Sequence, residues 1–323
     1  MRPRILILIP LAAALACFLL FSHWPPHSFA SSSSNDGAKQ PLILELFTSE
    51  GCSSCPPADS LLAKLSADQP FDGIEIIALE EHVDYWNSDG WTDRFSSPDF
   101  TIRQQEYARL LPAGGVYTPQ MIVDGRAQFV GSHAQEAQDQ IRSAASHPKS
   151  RLLLTPTASR NSHSRSFNLT LDPSSASPTA GTAVPPAIAS LFASTLSLLQ
   201  SFTLPPPPFQ PGSSASAAPF TPALERSPSS PPTATLDLWI AITEKDLHSS
   251  VTAGENSGQT LQHAPIVRQL RKLKSISLPL STPIPFTFDL HKDWQPANLT
   301  VVAFLSNPHS HQIQAAGSLP IAP

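Results

Sequence analysis

Cys52-Ser53-Ser54-Cys55 lies where an apolar run ends and a proline-started segment begins. Leu42-Ile43-Leu44-Glu45-Leu46-Phe47 reads as a short buried strand. Pro56 to Leu65 reads as a helix, since proline suits a first helical position where no N–H is needed. That helix sets Ala58, Leu61, Leu62 and Leu65 on one face, the spacing of a helix packed on a sheet. Ile74–Leu79 is a second strand. A strand–helix–strand unit of this kind is nearly always right-handed with parallel strands, which leaves few topologies. The position of the thiols carries chemistry. Free N–H groups at a helix start stabilise a thiolate, and the thiolate is the nucleophile of thiol–disulfide exchange. A two-residue spacer lets the second thiol attack a mixed disulfide made by the first.

The pattern continues through a polar, aromatic stretch, Glu80–Trp91. Ser97 is a candidate N-cap and Pro98 the first position of a helix running through Ile102, Tyr107, Leu110 and Leu111. Gln120–Val123 and Arg126–Val130 flank Asp124-Gly125, a hairpin signal. Ser132 can cap a last helix with Ala134, Ala137, Ile141 and Ala144 inward. After Ser150 the character changes. Strand patterns occur at Arg151–Thr157, Ser166–Leu171, Ala234–Thr243, Phe286–Leu290 and Leu299–Ser306, with a helix-like Pro265–Leu273 among them. Residues 173–232 hold fourteen prolines, with Glu225 and Arg226 the sole charged groups. Such a Pro/Ser/Ala-rich segment does not build a core, so it reads as a disordered insertion. Within it, Ile188 to Leu204 is apolar enough for a transient helix.

The termini and cysteine count bound the compartment. Arg2 and Arg4 precede an apolar run from Ile5 to Phe21, and Ser28-Phe29-Ala30 offers small residues for cleavage. Residues 1–30 therefore read as a signal peptide. The alternative is a retained N-terminal anchor, since the run is just long enough for a thin bilayer. Cleavage removes Cys17, so the exported chain keeps Cys52 and Cys55 alone and is not a disulfide scaffold. It also removes two of the 20 basic residues, leaving 18 against 25 acidic ones. With that balance and no basic run, nucleic acid is not an expected partner. The expected organisation is a flexible leader (31–40), an α/β domain (41–147) and a small β-rich, sandwich-like domain (151–323) carrying the insertion.

The order strand, Cys-x-x-Cys, helix, strand, helix, hairpin, helix is the minimal thioredoxin layout. Leu46–Asp59, His82-Val83-Asp84-Tyr85-Trp86, Tyr117-Thr118-Pro119-Gln120-Met121 and Glu255–Leu261 together resemble an exported thioredoxin-like bacterial family, known as domain of unknown function 1223. The resemblance is close over 41–147 and loose towards the chain end, and the family has no assigned reaction. It implies that Thr118 offers its backbone to a bound strand and that Pro119 is cis, facing the thiol pair. Two serines replace the usual Gly-Pro spacer and no tryptophan precedes Cys52, so the direction of redox chemistry is not legible.

These residues point to thiol–disulfide exchange on a protein or small-thiol substrate, with no cofactor. Cys52 is the expected attacking thiol and the more exposed of the pair; Cys55 is the resolving thiol. Glu45, an acid in a strand covered on both faces, is a candidate proton acceptor. The other reading of Glu45 is an acid at an exposed strand end. Glu50 is expected to be solvated. His82, Asp84, Tyr85 and Trp86 are candidate groove residues, or else a packed loop covering the sheet edge. Two rival functions stay open. One is a permanent disulfide in an inert envelope protein. The other is a soft-metal (copper) carrier in which His82 and His133 assist Cys52 and Cys55.

Overall fold

The computed structural model describes residues 39–112, 115–159, 161–175 and 235–321. The expected signal peptide, nearly all of the leader and the proline-rich insertion beyond residue 175 lie outside the described residues. From Lys39 onward the chain falls into one compact unit. It is a mixed α/β structure dominated by a large sheet, with few helices.

The first half contains β1 (Gln40–Thr48), α1 (Pro56–Asp68), β2 (Ile74–His82) and α2 (Pro98–Leu110). Next come β3 (Gln120–Val123), β4 (Ala127–Val130) and α3 (Ala134–Ala145). The second half supplies β5 (Ser150–Thr157), β6 (Ser164–Leu171), β7 (Thr235–Glu244), β8 (His248–Ser250) and β9 (Thr260–Gln262). It ends with β10 (Ile266–Ser277), β11 (Ile284–Asp289), β12 (Leu299–Ser306) and β13 (Ile313–Pro320). Eleven strands join in the order β11-β6-β5-β13-β12-β7-β10-β2-β1-β3-β4, while β8 and β9 pair apart.

Strand alternation explains how the first half is covered on both faces. Leu42, Leu44 and Leu46 of β1 pack with Ala58, Leu62 and Leu65 of α1 and with Ala137, Ile141 and Ala144 of α3. Ile43 turns the other way, into a core with Ile77, Leu79 and Phe100. β1 and β2 run parallel, and β3 lies antiparallel on the other edge of β1. Both central residues of the β3–β4 turn, Asp124 and Gly125, have positive φ, as a tight hairpin turn requires. A side chain at Gly125 would also place its Cβ 2.2 Å from the His311 carbonyl oxygen.

β10 links the two halves. It pairs with β7 along its length and with β2 in parallel at Ile266–Glu80. β5, β6 and β11 bend back over β7, β10 and β12, enclosing Leu152, Phe167, Leu169, Leu238, Ile240, Phe286 and Val301 in one core.

Several local expectations are corrected. Pro265–Leu273 is not helical: β10 covers it. Register shifts at Val267/Gln269 and Lys272/Lys274 interrupt its alternation, and bulged alternation mimics a helical period. On α2, Ile102 and Leu110 are exposed, whereas Arg103, Gln104, Phe100 and Tyr107 are buried. The inner face is turned towards polar partners, described below. Helix α3 starts at Ala134 with His133, not Ser132, at its N-cap, and Ala134 is exposed. Strands β8, β9 and β13 have no counterpart in the sequence reading.

Candidate functional site

Cys52 and Cys55 form a disulfide at the start of α1, with Cys55 at the N-cap. Pro56 and Pro57 follow, and Ala58 and Asp59 donate their N–H groups to the Cys55 carbonyl. The expectation that Cys52 is exposed is corrected: both cysteines are 0% exposed, while Ser53 and Ser54 face solvent. Three side chains, Thr118, Asn256 and Glu255, hold this loop. Thr118 Oγ1 donates to Cys52 Sγ at 3.4 Å and in turn accepts from Trp86 Nε1 at 2.9 Å. The Thr118–Pro119 peptide bond is cis. From the second half, Asn256, fully buried, donates through Nδ2 to the carbonyls of Glu50 (2.9 Å) and Cys52 (3.0 Å). Glu255 Oε2 accepts from the Ser53 N–H at 3.0 Å. The 255–256 turn is thus a latch across the cysteine loop.

Alternation in β2 sorts the buried acids. Glu80 and His82 share the parity of Ile76 and Ala78, which pack with α1; Glu81 shares that of Ile77 and Leu79, which pack with α2. Glu45 likewise faces α2, away from α1. It accepts from Arg103 Nε and from Tyr107 Oη, both at 2.5 Å, with Glu81 3.6 Å from Arg103. Glu45 is therefore buried but held in a charge cluster on the sheet face opposite α1. Burial and the neighbouring Glu45 push Glu81 well above the ordinary carboxylate range.

The acid on the thiol side is Asp59, which the sequence reading passed over. It sits one helical turn after Cys55, is 3% exposed, and accepts from Thr48 Oγ1 at 2.6 Å. Burial first, then the charge of Glu80, pushes its pKa up to about 8. Its signal was its i+4 spacing from Cys55.

Beside Asp59 lies a buried cluster drawn from both halves. His82 Nε2 lies 2.9 Å from Glu80 Oε1, and His82 Nδ1 lies 2.6 Å from Asp93 Oδ2. His263 Nδ1 lies 3.0 Å from the same Glu80 oxygen, with its Nε2 3.4 Å from Glu50 Oε1. Glu50, expected in solvent, is instead 1% exposed and accepts from Trp91 Nε1 at 2.7 Å. Trp91, Asp93 and Asn256 all bond to it, through its carboxylate, its N–H and its carbonyl. Burial is the largest single influence and would raise Glu50, yet hydrogen bonding from His263, Ser249 and Trp91 together holds the carboxylate below its ordinary range. Burial would lower His263, but Glu50 and Glu80 raise it to about 9. His263 carried no sequence signal, since it comes from the strand connection after β9.

The remaining candidates are placed as follows. Asp84 accepts from Thr101 Oγ1 at 2.6 Å, and Tyr85 Oη donates to Gln104 at 3.2 Å. Tyr85 is partly exposed, and Trp86 packs against Phe47, Val83, Tyr107 and Ile122 while covering the disulfide through Thr118. His82 has both ring nitrogens engaged by carboxylates. His133 is exposed, its Nδ1 3.3 Å from Glu136. The structure does not join either histidine to the cysteines.

A crystal structure of a protein from Agrobacterium tumefaciens matches with a TM-score of 0.53 at 19% identity, covering 87% of this chain and 94% of that one. At that identity the likeness concerns the fold alone. No curated protein matches. The family model described as Protein of unknown function (DUF1223) matches residues 43–185 and 213–306. That is most of the sequence, and the chain belongs to this family.

Proposed function

We propose that the chain is an exported thiol–disulfide oxidoreductase whose first half, 41–147, is thioredoxin-like. The observation that carries this reading is the disulfide at the α1 start, with Thr118 against Cys52 Sγ and Asp59 one turn below. An incoming thiolate attacks Cys52 Sγ, the Cys52–Cys55 bond breaks, and a mixed disulfide forms on Cys52. Cys55 leaves as a thiolate and takes a proton from Asp59, which a pKa near 8 keeps protonated at neutral pH. In the reverse direction the Asp59 carboxylate accepts that proton, and the Cys55 thiolate resolves the mixed disulfide. The substrate is a protein or a small thiol. Access requires the 255–256 latch or Trp86 to move. The apolar segment within residues 1–30 is the export signal in this reading. Among the described residues, no helix is long and apolar enough to cross a membrane.

A second reading, a permanent staple, draws on the burial of both sulfurs. One experiment separates the two. Cys55→Ser protein recovered from cell envelopes should carry disulfide adducts on Cys52, read by mass spectrometry, and Cys52→Ser should carry none. Absence of adducts on Cys55→Ser favours the staple.

A further inference from the structure

We propose that Glu80, His82 and His263 form a zinc site that ties the two halves of the chain together. The three side chains are buried, and their donor atoms lie within 4.8 Å of one another. The pattern of hydrogen bonds is what distinguishes them from an ordinary charge network. Each imidazole has an inner and an outer nitrogen. The outer nitrogen of His82 is held by Asp93 at 2.6 Å, and that of His263 meets Ser249 Oγ at 3.4 Å with Glu50 Oε1 also 3.4 Å away. The inner nitrogens, His82 Nε2 and His263 Nδ1, converge on one oxygen of Glu80 at 2.9 and 3.0 Å. A carboxylate that orients a metal-binding histidine from behind, as Asp93 does for His82, belongs to the usual outer layer of such a centre. Asp93 is itself fixed by the N–H groups of Glu50 and Phe95, so the His82 ring is positioned by backbone.

A second observation points to a missing partner. The other oxygen of Glu80 is buried and has no hydrogen-bond partner among the described residues. A fully buried carboxylate oxygen without a partner is costly, and a cation supplies one.

The donor set selects the ion. Two imidazole nitrogens and one carboxylate suit zinc, whereas calcium and magnesium prefer oxygen throughout. Zinc bonds of about 2.0–2.1 Å at tetrahedral angles separate donors by roughly 3.3 Å. The two nitrogen–oxygen distances, 2.9 and 3.0 Å, need to open by only a few tenths of an ångström, and the nitrogen–nitrogen distance, within 4.8 Å, sets how far the two imidazoles must close on the ion. Three protein ligands leave one position for water. The Phe95 ring packs edge-on against both imidazoles, at 5.6 and 5.4 Å, and shields the centre. Glu80 and His82 come from β2, and His263 from the segment entering β10. The ion would therefore reinforce the point where β10 meets β2.

The test uses the full chain, stripped with chelator and reloaded with zinc chloride. The expected result is one zinc per chain by elemental analysis, a melting temperature raised by several degrees, and retention of zinc by a Cys52→Ser/Cys55→Ser variant. His263→Gln should lower zinc affinity at least tenfold. X-ray absorption of the zinc-loaded wild-type protein, which needs no variant, should give a nitrogen/oxygen shell with two imidazoles. Substoichiometric zinc, sulfur in that shell, or undiminished affinity in folded His263→Gln would overturn the proposal.

Discussion

Replacing Asn256 by alanine tests whether the latch controls access to the disulfide. The Asn256 amide makes two hydrogen bonds, to the carbonyls of Glu50 and Cys52, in a fully buried position. Each such bond contributes about 1 kcal/mol net, so their loss should lower the free energy of opening this loop by about 2 kcal/mol. Both sulfurs are sealed in the closed form, so an external thiol attacks from an opened state, and its rate scales with the population of that state. At 1.4 kcal/mol per decade, about 2 kcal/mol corresponds to a rate roughly 30-fold higher. The assay is the rate of reduction by dithiothreitol, followed by mass after alkylation, on wild-type and Asn256→Ala proteins. A change below twofold in folded Asn256→Ala would refute the reasoning, because the latch would then not be the gate.

Arg103→Met supplies a contrast on the opposite sheet face. It strands the buried Glu45 and Glu81 carboxylates and should destabilise the fold by about 3–5 kcal/mol in denaturant titration. It should leave the local reduction rate near that of wild type under native conditions. Asp59→Asn should stabilise chelator-treated protein at pH 7. The folded pKa of Asp59 is raised to about 8 from 3.8, so the native state holds a proton that the unfolded state releases. Stability is therefore full below about pH 4 and falls as pH rises towards 8. A neutral isostere removes that slope, a gain of up to about 4 kcal/mol at pH 7. Parallel stability–pH curves for the two proteins would count against a protonated Asp59. The same variant should slow resolution of a mixed disulfide by Cys55, measured by stopped-flow.

How much of this was legible beforehand follows from range. β1, α1, β2, the Ser97-capped start of α2 and the Asp124-Gly125 turn were readable because local chemistry sets each of them. Caps, prolines, alternation and turn residues act within a few positions of one another. β10 was misread because its bulges disturb the alternation on which a strand reading depends. The polar inner face of α2 was misread for another reason. Arg103 and Gln104 look like surface residues until Glu45, Glu81 and Gln120 are placed beneath them.

The chain order alone established that two thiols sit at a helix start, and that a strand–helix–strand unit holds them. The loop that carries them is tied down from elsewhere, by Asn256 and Glu255 some 200 residues away in sequence. The partnership of His82 with His263 likewise depends on β10 docking beside β2. Exposure and ligand geometry are properties of side chains that meet only after the chain has closed on itself. Sequence spacing constrains neighbours along the chain and is silent about those brought together across it.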